Sequence, residues 1–209
     1  ITVLSDNVTF TGCSIYGTGA GGIGVERGAS NVTIDGNSFS YTAGTAIFVG
    51  DNEDSNDNLP TNIVITNNTV SSYGMAYGGA AGITVTYADT VTVSHNTVQN
   101  GYYSGISLGW GWTKNANVQH RNYTVTYNRI VNAMAGTLYD GGGIYLLGNF
   151  VADSTNVVAN NYVEISATCL AAIYLDEGTS DYKVYNNALK VNTGNTDKGC
   201  IFLHNKLNS

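Results

Sequence analysis

Three carboxylates stand beside glycines in a chain otherwise poor in charge. Asp140 precedes Gly141-Gly142-Gly143, and Asp176-Glu177 precedes Gly178. Each acid adjoins a short apolar run, Ile144-Tyr145-Leu146 after the first and Ile173-Tyr174-Leu175 before the second. Alternation puts Tyr145 and Tyr174 on the outer face of their strands, with Asp176 two residues on and His204 at the matching place after Ile201-Phe202-Leu203. Two facing carboxyl groups can hydrolyse a glycosidic bond, one as acid and one as nucleophile or base. Read apart, the same acids are ordinary turn formers, Asp-Gly being a common turn dipeptide. Seven residues of strand direction separate Asp140 from the position equivalent to Asp176. That is about 23 Å if extended, against about 5–9.5 Å in catalytic pairs. Only a sharp fold at the three glycines closes the gap.

Aromatic residues accompany the acids. Tyr145, Tyr174 and Phe202 form an outward stripe that the core does not need. Such a stripe offers π-faces to sugar C–H groups, or else a ladder that only stiffens the sheet. Trp110 and Trp112, the only tryptophans, share one glycine-punctuated stretch. They are sugar platforms if the loop stands out and anchors if it packs down. His204 is placed to orient Asp176 through a hydrogen bond. The run from Asp51 to Asn58 contains Asp51, Asp54 and Asp57, oxygen donors for Ca²⁺, though without the glycine and distal Glu of an EF-hand loop. The other reading is a solvated acidic loop without a cofactor. His95, His120 and His204 lack zinc-ligand spacing, so no metal site is assigned. The three arginines, Arg27, Arg121 and Arg129, are scattered, which disfavours lyase chemistry with a basic proton abstractor.

Self-similarity shows what positions these residues. One strand type recurs as Gly22-Ile23-Gly24-Val25, Ala46-Ile47-Phe48-Val49, Gly82-Ile83-Thr84-Val85 and Gly105-Ile106-Ser107-Leu108, and again at Ile144, Ile173 and Ile201. A second type lies between copies, as in Asn31-Val32-Thr33-Ile34 and Asn62-Ile63-Val64-Ile65. A few residues on comes an Asn: Asn37, Asn68, Asn96, Asn128, Asn161 and Asn187, with Cys13 in that place in the first copy. Each unit holds about three short strands and cannot bury its apolar face alone, so units must stack. Parallel stacking at about 4.8 Å per coil predicts an inward Ile column and an inward asparagine ladder. Insertions at 50–60 and 109–121 leave the solenoid after the same strand type. They should wall a groove on one side, where loops on a rigid scaffold bind ligands.

Composition agrees. The 209 residues are 43% hydrophobic and 11% charged, with 26 Gly and a single Pro, which argues against disorder from charge repulsion and leaves turns to Gly, Asn and Asp. The net charge of −7 argues against nucleic acid and anionic membrane, and no apolar run is long enough for a transmembrane helix. Cys13, Cys169 and Cys200 are too few for a disulfide scaffold; Cys169–Cys200 is the one candidate bridge, the alternative being three free thiols. Sequons at Asn7, Asn31, Asn67 and Asn122 arise from the repeat itself.

The repeat resembles that of right-handed parallel β-helix proteins over the whole chain. The expectation is one all-β domain, residues 1–209, of about seven coils. Its open ends imply a longer chain, with flanking domains or neighbouring subunits covering them. The ordered set Gly105-Ile106-Ser107-Leu108-Gly109-Trp110-Gly111-Trp112, Tyr139-Asp140-Gly141-Gly142-Gly143-Ile144-Tyr145 and Ile173-Tyr174-Leu175-Asp176-Glu177-Gly178 is similar to secreted β-helix glycoside hydrolases of the xylosidase, xylanase and fucosidase group. That resemblance implies an extracellular or cell-surface enzyme acting on a polysaccharide, with catalytic Asp140 and Asp176 or Glu177, and with Trp110, Trp112, Tyr145, Tyr174 and His204 around the substrate. The alternative is a non-catalytic β-helix segment of a fibre, an adhesin or a glycan-binding assembly.

Overall fold

A computed structural model describes residues 1–53, 55–112, 121–148, 155–192 and 197–204. Every strand pairs in parallel with its counterpart one coil away, building three sheets of eight, seven and seven strands. Sheet 1 runs from Thr2–Val3 to Ile201–Leu203, sheet 2 from Thr9–Thr11 to Tyr182–Tyr185, and sheet 3 from Ser14–Tyr16 to Ala188–Val191. No helix occurs among the described residues. The architecture is the expected all-β parallel solenoid.

Register follows the repeated residues. Ile23, Ile47, Ile83, Ile106, Ile144, Ile173 and Ile201 pair in one unbroken column of sheet 1. The first six are at most 1% exposed, whereas Ile201, on the last described rung, is 43% exposed. Because strand side chains alternate, a slip of one residue would turn this column to solvent, so the apolar pattern fixes the register. The core is filled by these isoleucines together with the inward Val and Ile residues of sheets 2 and 3.

The corner between sheets 2 and 3 carries the asparagine ladder. The side-chain amide of Asn96 donates to the Ile65 carbonyl at 2.9 Å and to Asn128 Oδ1 at 3.0 Å, and the Asn96 backbone N–H donates to that same oxygen at 3.0 Å. The pattern repeats at Asn37, Asn68, Asn128 and Asn161, each at most 2% exposed, and ends on the half-buried Asn187. In the first coil the Cys13 N–H donates to Asn37 Oδ1. The residue before each ladder position has a positive φ: Gly12, Gly36, Asn67, His95, Tyr127, Asn160 and Asn186. Glycine and asparagine reach the left-handed region most easily, which accounts for their abundance at this corner. The sequon asparagines Asn7, Asn31, Asn67 and Asn122 also have positive φ, so their side-chain type is explained by backbone geometry.

The ladder makes a stability prediction. Asn128→Ala leaves the Val93 carbonyl and two Asn96 donors without the side chain they bond, and removes one of two donors from Asn161 Oδ1, which keeps the residue-128 backbone N–H. Each buried orphan costs about 1–3 kcal/mol, so a loss of roughly 3 kcal/mol or more is expected. At about 2–4 °C per kcal/mol for a chain of this size, scanning calorimetry should show Tm falling by about 10 °C. Ser38→Ala, on the exposed side of sheet 3, should stay within about 0.5 kcal/mol of the parent.

Candidate functional site

The outer face of sheet 1 is the floor of the site. Gly24, Phe48, Thr84, Ser107, Tyr145, Tyr174 and Phe202 pair in a single outward column. Over its middle lies a cleft of about 330 Å³, floored by Phe48, Thr84, Ser107 and Tyr145. Asn52 from the 50–60 insertion and Trp110 and Trp112 from the 109–121 insertion line its sides. The two insertions therefore share one face, as their common point of departure requires. The indole rings meet edge to face at 5.1 Å. Trp112 is 40% exposed and Trp110 partly covered, so the pair presents ring surface to the cleft. Gly148 makes room for this loop, since a Cβ there would sit 2.2 Å from the Trp110 carbonyl oxygen.

The acidic insertion is not a cation-binding loop in the way the spacing of Asp51, Asp54 and Asp57 suggests. The Arg27 guanidinium occupies it. Its Nε lies 2.7 Å from Asp51 Oδ2, and its terminal nitrogens donate to the carbonyls of Glu53, Ser55 and Asp57. A charged side chain already provides the positive centre around which the oxygens gather. Asp54 lies outside the described residues. Cys169 is buried and Cys200 exposed, both as free thiols, so the candidate bridge is not formed.

Loop 132–141 carries Asp140 back over the sheet. Strand Gly142–Leu146 lies too close to its neighbours for side chains at its start. A Cβ on Gly141 would lie 2.8 Å from Met134 and Tyr103 side-chain atoms, one on Gly142 2.7 Å from the Ala171 carbonyl, and one on Gly143 2.3 Å from Val163 Cγ1. None of the three has positive φ, so these glycines serve close approach and not an unusual backbone shape. The Tyr103 hydroxyl donates to the Asp140 carbonyl at 2.8 Å, and the Tyr139 hydroxyl bonds the Asp197 carboxylate. Held in this way, the exposed Asp140 brings its carboxylate into interaction with the Tyr174 hydroxyl and the charge of Asp176.

Asp176 follows strand Ala171–Leu175 and is 6% exposed. Tyr145 donates its hydroxyl to Oδ2 at 2.6 Å, and Tyr174 and His204 Nδ1 both approach Oδ1 at 2.8 Å. His204 stacks on Phe202 at 5.5 Å. Glu177 is half-buried beside this cluster, and its carbonyl accepts from Gly148. Structure thus gathers Asp140, Asp176, Glu177, Tyr145, Tyr174 and His204 in one place.

The tyrosines differ from the expected open stacking surface. Tyr145 is 8% and Tyr174 2% exposed, packed with Leu147 and Ala171 against Leu170 and Phe202. Their hydroxyls are aimed at Asp176, which decides the electrostatics. Burial pushes the Asp176 carboxyl up, but hydrogen bonds from Tyr145, Tyr174 and His204 outweigh it and hold the group below the usual carboxylate range. Asp140 is pushed up, first by partial desolvation and then by the charge of Asp176. The caged acid is the lowered one despite its burial among tyrosine rings, because the donors point at it. Tyr103 is the residue that sequence reasoning missed. It lines the cleft, holds the Asp140 backbone, and has its own pKa pushed up to about 12 by burial and by Asp140. Its only signal was the tyrosine pair Tyr102-Tyr103 ahead of a sheet 1 strand.

Residues 4–189 match the family described as right handed beta helix region. The chain belongs to this family. Three solved structures share the fold across essentially the whole chain. A glycoside hydrolase superposes with a TM-score of 0.74 at 22% identity, over 100% of this chain and 39% of its own. The Azotobacter vinelandii mannuronan C-5 epimerase AlgE4 A-module gives 0.69 at 14%, over 100% and 56%. The periplasmic alginate epimerase AlgG gives 0.52 at 14%, over 99% and 46%. The chain thus spans about two fifths to just over half of these relatives. No curated protein matches the chain.

The hydrogen-bond cage makes a pH prediction. Tyr145→Phe removes one donor to Asp176, so the Asp176 pKa should rise, read by carboxyl ¹³C chemical shifts in a pH titration. The depressed folded-state pKa contributes stability above the unfolded value, about 3.9 for Asp, and that contribution is lost as pH falls through the folded pKa. The stability gap between parent and variant should therefore be widest near neutrality and shrink on acidification. An unmoved Asp176 titration would show that the hydroxyl does not hold the charge.

Proposed function

We propose that the chain forms the β-helix of an extracellular or cell-surface glycoside hydrolase that acts on a polysaccharide. The observation that carries this reading is the pair of carboxyl groups, Asp140 and Asp176, whose settings push their pKa values in opposite directions beside an aromatic cleft. Opposed environments of this kind assign acid and base roles. Asp140, raised and exposed, donates a proton to the departing glycosidic oxygen. Asp176, held ionised by three side-chain donors, stabilises positive charge developing on the sugar and serves as base or nucleophile. Glu177 is the neighbouring, more accessible carboxylate that can share that second role. His204 positions Asp176, and Trp110 and Trp112 form a platform for the sugar bound next to the cleaved bond. The glycoside hydrolase and the polysaccharide epimerases that share the fold support a carbohydrate-active reading.

A second reading, glycan binding without catalysis, is favoured by the near-complete enclosure of Asp176 and the donors on both of its oxygens. One variant separates the two. Asp140→Asn should cut turnover of a cleaved polysaccharide by about 10²–10⁴-fold while sugar binding and Tm stay near the parent values. The parent pH profile should be bell-shaped, falling at high pH as Asp140 loses its proton and at low pH as Asp176 gains one. His204→Ala should move the acid limb to higher pH. Glycans bound by a parent protein that turns none of them over would leave the binding reading standing, and turnover unchanged in Asp140→Asn would remove Asp140 from the acid role.

A further inference from the structure

We infer that the cleft selects uncharged glycans over uronic-acid polymers. This rests on the carbohydrate reading above and names its substrate class. The cleft continues into a second hollow of about 360 Å³, with Thr45 and Phe48 shared between them, so one groove follows the outer column of sheet 1 toward Gly24 and Glu26. Among the described residues no charged side chain lines the first hollow, and Glu26 is the one charged side chain lining the second. At the opposite end stand Asp140, Asp176 and Glu177. A chain lying in this groove meets carboxylates at both ends and no cationic side chain along the described floor.

A uronate polymer brings a carboxylate on every sugar. Each one buried here lacks a counter-charge among the described residues and meets like charge at both ends, which disfavours it. Among the described residues, neither Arg27 nor Lys198 lines the groove. Arg27, at the base of the loop that supplies Asn52, is bound to Asp51 and three carbonyls. Lys198 stands over the Phe202 ring at 5.9 Å, beyond the acid pair. What the groove does offer is matched to neutral pyranose rings. Trp110, Trp112 and Tyr103 give apolar faces for C–H groups, and Thr84, Ser107 and Asn52 give uncharged hydrogen-bond partners for hydroxyls.

The two tryptophans of the chain both line the cleft, so intrinsic fluorescence reports its occupancy directly. The parent protein is titrated with neutral hexasaccharides (xylo-, gluco-, manno-, galacto- and fuco-series), with mannuronate and galacturonate hexamers, and with a glucosamine hexamer. At least one neutral series should change the emission saturably, at an affinity at least roughly tenfold better than any uronate of equal length. Thr84→Lys places one cation on the floor and should narrow that gap. Tighter binding of a uronate or of the glucosamine hexamer overturns the neutral-glycan inference while leaving the carbohydrate reading intact. A fluorescence signal and a calorimetric trace unmoved by every sugar in the panel overturn both.

Discussion

The solenoid depends on the hydrogen bonds of the inward asparagines. At the corner between sheets 2 and 3 the backbone turns through a left-handed residue and leaves carbonyls and N–H groups facing a core that excludes water. A buried polar group without a partner is costly, so the corner exists only because each amide joins the coil before it to the coil after it. The bond is also a ruler. Each asparagine reads the position of the next, so an error of register in one coil would break contacts in two. Apolar columns set which face points inward, and the ladder sets how far along the chain each coil begins.

That rigidity explains how a weakly charged chain can hold an electrostatic site. Strands Gly142–Leu146 and Ala171–Leu175 are fixed to each other by four registered pairs. Tyr145 and Tyr174 therefore have no freedom to turn their hydroxyls from Asp176. Stability that would be lost by burying a carboxylate is offset by three donors whose direction the sheet enforces. Asp140 has no such support from the sheet. It relies on the bonds that tie its loop to Tyr103 and Asp197, so the two acids differ in what holds them as well as in the direction of their pKa shifts.

Much of this was legible in the sequence, for reasons that differ between residues. The Ile column and Asn37 to Asn187 repeat the same chemistry at the same place in every coil, so pattern alone located them. Insertions at 50–60 and 109–121 follow the same strand type, so their shared face followed from topology. The meeting of Asp140 with Asp176 was legible only as a requirement on the three glycines, because loop 132–141 is anchored by contacts 37 and 58 residues away in sequence. The role of Arg27 was hidden for the same reason: it lies 24 residues before the aspartate it binds, and the acidic run read by itself suggests a metal. The opposite pKa shifts depend on the aim of two hydroxyls, which residue type does not reveal.

One regularity of the coils bears on how such a protein diversifies. The connection from sheet 2 to sheet 3 is two residues long in every coil, from 12–13 to 186–187, while those on either side of sheet 1 run from three residues at 86–88 to twelve at 109–120. Since the ladder corner tolerates no change in length, insertions and deletions are channelled to the two borders of a single sheet. The scaffold thereby separates inheritance of shape from variation of contact. New loops accumulate around the groove, and a lineage can alter what it recognises without renegotiating how it folds.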